Sequence, residues 1–307
     1  MSFSMPLLMK HATVVPSIPT GNMWTSNITT NTYYKISPTW VKTTYTNITN
    51  PYSSVVNDWT NMWFANYVWN KIYKRTPAWV ITSYTVPTPY WTAFDWTCIW
   101  TSNWANNSVS KITLAWVVTT YAVWINLNWK WIAFDWTNMW VTSLGWNSIS
   151  KILPDWTVWG TYIVPTPTRI AFDWTNMWVT SWNSVKKILP DWTVGWTYVV
   201  NSPTSICFDW TNMWTYNYRA YSEPTWEVSK IAPDWTVTTY NNSLRWLEPQ
   251  WLNIAFDWVY IWIWSYNNSR VSKIDLNWNH ILNVSSVINC TWLSFDWCLL
   301  SHWWGGS

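Results

Sequence analysis

Carboxylates are the first residues in this chain that could do chemistry, because a positioned pair can act as acid and base or hold a metal ion. Among 307 residues there are 14 Asp and Glu, and all three glutamates, Glu223, Glu227 and Glu248, fall between positions 217 and 251 with Arg219 and Arg245. That charged set is the ligand-binding candidate the sequence offers. No histidine accompanies it, since the three are His11, His280 and His302. Four cysteines, Cys98, Cys207, Cys290 and Cys298, form no CxxC pair and keep no metal-ligand spacing. No catalytic group, metal or cofactor is expected.

The aspartates follow another logic. Ten Asp-Trp dipeptides occur, ending at Trp59, Trp96, Trp136, Trp156, Trp174, Trp192, Trp210, Trp235, Trp258 and Trp297. An aspartate heading a tight turn bonds the backbone amides that follow it. The array therefore reads as turn chemistry. Lys-Ile pairs recur as regularly, at Lys35, Lys71, Lys111, Lys151, Lys187, Lys230 and Lys273. A ring of like charge attracts an anionic glycan or lipid. Lysines at strand ends are ordinarily solvated, and that reading is preferred.

Both series recur because the chain repeats. Ile132-Ala-Phe-Asp-Trp-Thr-Asn-Met-Trp-Val-Thr-Ser143 returns letter for letter at Ile170–Ser181. The tryptophan closing Asn-Met-Trp, or its variant, recurs at Trp24, Trp63, Trp100, Trp140, Trp178, Trp214 and Trp262, in steps of 39, 37, 40, 38, 36 and 48 residues. In the fifth unit the pattern predicts strands over Arg169–Phe172, Asn176–Ser181, Ser184–Leu189 and Thr193–Val200, with Asp-containing turns after the first and third. A four-stranded meander repeated about every 40 residues has the period of a propeller blade.

The expected fold is all-β: a seven-bladed β-propeller of four-stranded antiparallel blades. Closure is expected from the C-terminal strand, because Thr291–Asp296 resembles a first strand with no full blade after it, while the first unit lacks one. The propeller is placed at 19–301, after an N-terminal segment 1–18 and before a tail 302–307. The sixth unit is stretched at Asn217–Glu227 and Asn241–Trp251, and loops on a rigid scaffold are where binding evolves.

Composition limits the partners. Charged residues make up 10% of the chain and the net charge is +3, too little to suggest nucleic acid. No apolar run approaches the ~18 residues of a membrane helix. At the N-terminus, Lys10 follows the apolar start, whereas a secretory signal places its charge first. A Thr- and Asn-rich surface suits an extracellular or cell-surface setting.

One feature does not fit a β-protein. The chain has 38 tryptophans beside 6 glycines, and no Asp-Gly. Asp-Trp falls where hairpin turns call for glycine. Thr157-Val-Trp-Gly-Thr-Tyr162 aligns with Thr193-Val-Gly-Trp-Thr-Tyr198, so one pair of slots holds Trp-Gly in one unit and Gly-Trp in the next. Most tryptophans then read as glycines in the organism, as if UGA codons meaning glycine had been written as tryptophan. Setting aside the seven strand tryptophans leaves 31 of the 38 under this reading. Trp136, Trp156, Trp174, Trp192, Trp210 and Trp235 are expected in tight turns, exposed, several at positive φ. Trp140, Trp178 and Trp214 are expected buried on strands.

With those slots read as glycine, Lys130–Thr142 resembles the NHL-type and streptogramin-lyase-like propeller repeats, over about residues 19–301. The resemblance implies the fold. In the lyases it also implies His and Glu on one face, yet the matching strands here read Trp140-Val-Thr-Ser143 and Trp178-Val-Thr-Ser181. The expected function is a binding module for a protein or glycan. The alternative is a metal-dependent propeller lyase or lactonase.

Overall fold

The computed structural model describes residues 22–27, 32–37, 41–46, 54–123, 131–191, 193–217, 227–241, 253–257, 259–265, 270–284 and 290–296. These form seven four-stranded antiparallel sheets and no helix. Within a blade the strands pair in chain order, from the innermost outward. The first blade differs: its order is Cys290–Asp296, Asn22–Asn27, Thr32–Ile36, Lys42–Tyr45. Its inner strand thus comes from the other end of the chain. The expected pairing is present, with Met23 opposite Phe295 and Ser26 opposite Trp292. In the fifth blade the strands run Ile170–Phe172, Met177–Ser181, Ser184–Ile188 and Val194–Val199, each expected boundary falling within one residue.

Burial explains why these stretches became strands. The second strand of each blade lies between two neighbouring sheets, and Met139–Ser143, Met177–Ser181 and Met213–Asn217 are buried throughout. A strand covered on both faces must bond the polar side chains it carries, as Asn217 Nδ2 does by donating to Ser229 Oγ at 2.7 Å. The fourth strand lies at the rim and alternates, as Val158–Ile163 does. Each seam is a small core: Trp140, Ile149 and Val164 of the fourth blade meet Met177, Val179 and Ile188 of the fifth. First strands are joined around the centre by side chains. Ser54 Oγ lies 2.7 Å from Thr92 Oγ1, and Ser205 Oγ donates to Asn253 Oδ1 at 2.7 Å.

Seam tyrosines make the ring sensitive to alkali. Burial pushes the pKa of Tyr33 up to about 12, opposed by Arg75, and that of Tyr198 up to about 12, assisted by Asp173. An unfolded tyrosine titrates near 10. Both phenols therefore favour the fold fully below pH 10, and that contribution is lost as pH rises from 10 through 12. Circular dichroism should show a fold stable to pH ~9.5 that unfolds between about 10 and 12. The Tyr33→Phe variant should move the midpoint upward.

The turns at the outlet of the first and third strands hold the unusual backbone. Ten tryptophans have φ between 67° and 80°: Trp59, Trp79, Trp96, Trp116, Trp136, Trp156, Trp174, Trp210, Trp235 and Trp278. In a left-handed conformation a Cβ costs about 1–2 kcal/mol per residue. Positive φ is expected at several of the six turn tryptophans; five have it, and Trp192 lies outside the described residues. Their expected exposure holds only for Trp235, 45% exposed. The inner-turn rings stack blade to blade, Trp59 on Trp96, Trp96 on Trp136, Trp136 on Trp174 and Trp174 on Trp210, at 4.6–5.0 Å, which leaves all but Trp96 half-buried. The strand tryptophans Trp140, Trp178 and Trp214 are buried, as expected.

Candidate functional site: two ends of the central channel

At the turn end, each aspartate closes a clip. Asp135 Oδ1 accepts the amides of Thr137 and Asn138, at 2.9 and 2.6 Å. Its Oδ2 accepts the indole N–H of Trp140 at 2.6 Å. The same indole bond joins Trp63 to Asp58, Trp100 to Asp95, Trp178 to Asp173, Trp214 to Asp209 and Trp262 to Asp257, at 2.5–2.7 Å. One carboxylate thus fixes both the turn and the core tryptophan five residues on. In the outer turns the amides of Thr157 and Thr236 hold the carboxyls of Asp155 and Asp234 below the usual range. Carboxylates engaged in this way make a frame. Among the described residues no group of three or more His, Cys, Asp or Glu is placed to hold a metal ion.

The lysine series packs over the same tryptophans. Lys111 Nζ lies 5.2 Å from the Trp100 ring, Lys187 5.2 Å from Trp178 and Lys230 5.6 Å from Trp214. Burial lowers the pKa of Lys151 and Lys273, opposed by Asp135 and Asp257 respectively. These are cation–π contacts within the seams, which corrects the solvated reading. In the second blade the member of the series is Lys74, opposite Trp63, and not Lys71, which pairs with Asn66 and Thr85. The Lys71-Ile72 pair matches the motif by coincidence of letters, three residues off register.

Antiparallel order places the starts of the first strands at the opposite end, with the second-to-third connections. Four residues before each turn aspartate, this end carries Ser54, Trp91, Trp131, Arg169, Ser205 and Asn253 in successive blades. Arg169 is the single Lys or Arg among these six. Its guanidinium lies 3.1 Å from the centre of the Trp131 ring and 5.3 Å from that of Trp91, and its Nε donates to the Thr204 carbonyl at 3.2 Å. The side chain is half-buried. Loss of water around the guanidinium pulls its pKa below the usual value, opposed by Tyr90. An arginine nevertheless keeps its proton, so this is a partly dehydrated cation. Tyr90, whose phenol burial pushes up to about 12, stays a protonated donor; its ring lies 5.3 Å from that of Tyr67. Sequence reading missed both residues. Aligning the first strands on the turn aspartates would have isolated Arg169 as their one cation.

Of the charged set proposed from the sequence, Glu227 lies at this same end. Glu227 opens the third strand of the sixth blade, opposite Asn217 and Asn241, and is buried at 4% exposure. It takes the place that Ser108, Ser148 and Ser184 hold in other blades. Arg219, Glu223, Arg245 and Glu248 lie outside the described residues. The strands joined by both expansions, ending at Asn217 and Asn241 and resuming at Glu227 and Asn253, have those ends here. Of the cysteines, Cys98 is buried and Cys207 half-buried, both unbridged, with burial raising each thiol's pKa.

No family model and no curated relative matches the chain. Solved structures do. A catalytically inactive virginiamycin B lyase from Staphylococcus aureus, solved with Quinupristin, superposes with a TM-score of 0.64 at 18% identity, covering 81% of this chain and 93% of that one. A functionally unknown protein from Desulfotomaculum acetoxidans gives 0.72 at 11% identity, covering 89% and 98%. A 6-phosphogluconolactonase candidate from Bacteroides uniformis gives 0.68 at 11%, covering 90% and 99%. At these identities the likeness is one of fold. The chain is a seven-bladed propeller of the architecture that virginiamycin B lyase also has.

Proposed function

We propose that the protein is a binding module, displayed outside the cell or at its surface, that captures an acidic glycan at the strand-start end of its channel. The observation that supports this most is Arg169, a partly dehydrated guanidinium on the inner wall with the Tyr90 phenol nearby. A cation stripped of water gains most from an anionic partner, and guanidinium bonds a carboxylate through two parallel N–H groups. Tyr67 and Tyr90 add flat aromatic faces of the kind that pack against sugar rings. The two expansions of the sixth blade, with Arg219, Glu223, Glu227, Arg245 and Glu248, are proposed as the rim of the same site. The lyase or lactonase alternative rests on the names of two fold neighbours alone.

An array of uronic-acid and neutral oligosaccharides tests the reading. Binding is expected to acidic members only, and to weaken with salt. Arg169→Ala should reduce affinity roughly 10- to 100-fold, the loss of a charged hydrogen bond. Equal binding of neutral sugars, or an unaffected Arg169→Ala variant, would sink it.

A further inference from the structure

We infer that the ten left-handed tryptophans are glycines in the protein as its source synthesises it, each encoded by a UGA codon read there as glycine. Trp91 and Trp131, the rings beside Arg169, are not among the ten.

The ten fall into two turn geometries, five in each. Trp59, Trp96, Trp136, Trp174 and Trp210 stand first in a two-residue turn. In it the Asp135 amide donates to the Asn138 carbonyl, for example, and only the first central residue has positive φ. That position calls for glycine. Trp79, Trp116, Trp156, Trp235 and Trp278 end a three-residue turn. There the tryptophan amide donates back to the residue three before it, as Trp156 does to Leu153 at 3.0 Å, and Leu153 donates to the Thr157 carbonyl. The last residue of that loop is left-handed and favours glycine again. Two unrelated turns thus share one requirement, and the same letter fills both.

At the other end of the sheets the positive-φ residues are Asn70, Asn107 and Asn147, at 45–55°, with Thr88, Thr166 and Ser202 at 36–44°, and none is a tryptophan. Asparagine is a side chain that tolerates this conformation; tryptophan is not. The Trp-Gly and Gly-Trp exchange also has a structural counterpart. Both pairs sit at irregularities of strand register, between Val158 and Gly160 in the fourth blade and between Val194 and Thr197 in the fifth. Trp159 and Trp196 are 63% and 60% exposed there. A bulge suits glycine in either slot, so a Gly-Gly pair in both blades removes the inconsistency. The strand tryptophans behave in the opposite way. Trp63, Trp100, Trp140, Trp178, Trp214 and Trp262 are at most 5% exposed, and each indole is bonded to an aspartate.

Reading the gene makes the first test. Strand tryptophans should be encoded by UGG and the ten turn positions by UGA; one codon shared by both groups would overturn the inference. Tandem mass spectrometry of the protein purified from its source makes the second. Peptides spanning 132–143 and 153–163 should carry glycine at 136 and 156, lighter by one Trp-to-Gly difference at each, whereas tryptophan there would refute it. A third test needs no native material. Two synthetic genes, one as written and one with glycine at all ten positions, should give a glycine form that melts cooperatively and at higher temperature. A chain as written that melts at the same temperature or above would count against the assignment.

Discussion

Replacing Trp140 with alanine should destabilise the propeller by about 3–5 kcal/mol, the range for emptying a buried aromatic site. The melting temperature should fall by roughly 5–10 °C for a chain of this size. Trp140 is 2% exposed, packs in the seam with Ile149, Val164, Met177 and Val179, and carries the bond to Asp135. Truncation leaves a cavity between two blades and deprives the Asp135 carboxylate of its short indole donor. Asp135→Ala should cost less, roughly 1.5–3 kcal/mol, because the ring still fills its place. Since each change removes the same bond, the double variant should lose less than the sum of the two. Strict additivity in thermal melts would mean that the clip carries no energy.

Residue spacing made the fold legible because each blade repeats one physical unit. Asp135 and Trp140 must be five apart for the carboxylate to reach the indole, and that spacing recurs at Asp58 and Trp63, Asp95 and Trp100, Asp173 and Trp178, Asp209 and Trp214, Asp257 and Trp262. Strand ends followed, since the turns that bound them carry the same aspartates. The lysines were legible as a series but not in their surroundings. A letter pattern does not report that Lys111 lies over both Trp100 and Trp156, the latter ring reaching in from the next blade. Arg169 escaped for the opposite reason, because it repeats nowhere. Sites on repeat proteins depart from the repeat, and the departures that drew attention were the long expansions of the sixth unit. A single residue changed at the entry to a strand, four before an aspartate, gives no such signal until the strands are superposed around the channel.

Removal of the closing strand should have the largest effect of all. A chain ending at residue 289 lacks Cys290–Asp296, which pairs along Asn22–Asn27 as the inner strand of the first blade. Its loss opens the ring at one seam and leaves the Asn22–Asn27 edge without a neighbour on its inner side. An unpaired edge is a template for association, and propeller blades otherwise leave only short, protected edges. The truncated chain is expected to lose its sharp thermal transition and to elute as aggregates. A synthetic peptide of residues 290–296 should restore part of the transition by adding the missing strand, as peptides do at open sheet edges. The edit removes no residue of blades two to seven, so an effect on the whole melt measures how far the ring holds them together. Retention of the full-length melting temperature would mean that each blade is stable with its neighbours alone, as in an open solenoid. The inner position of the strand argues against that outcome. Its neighbours are the first strands of both the second and the seventh blades, so one short segment joins three blades at once.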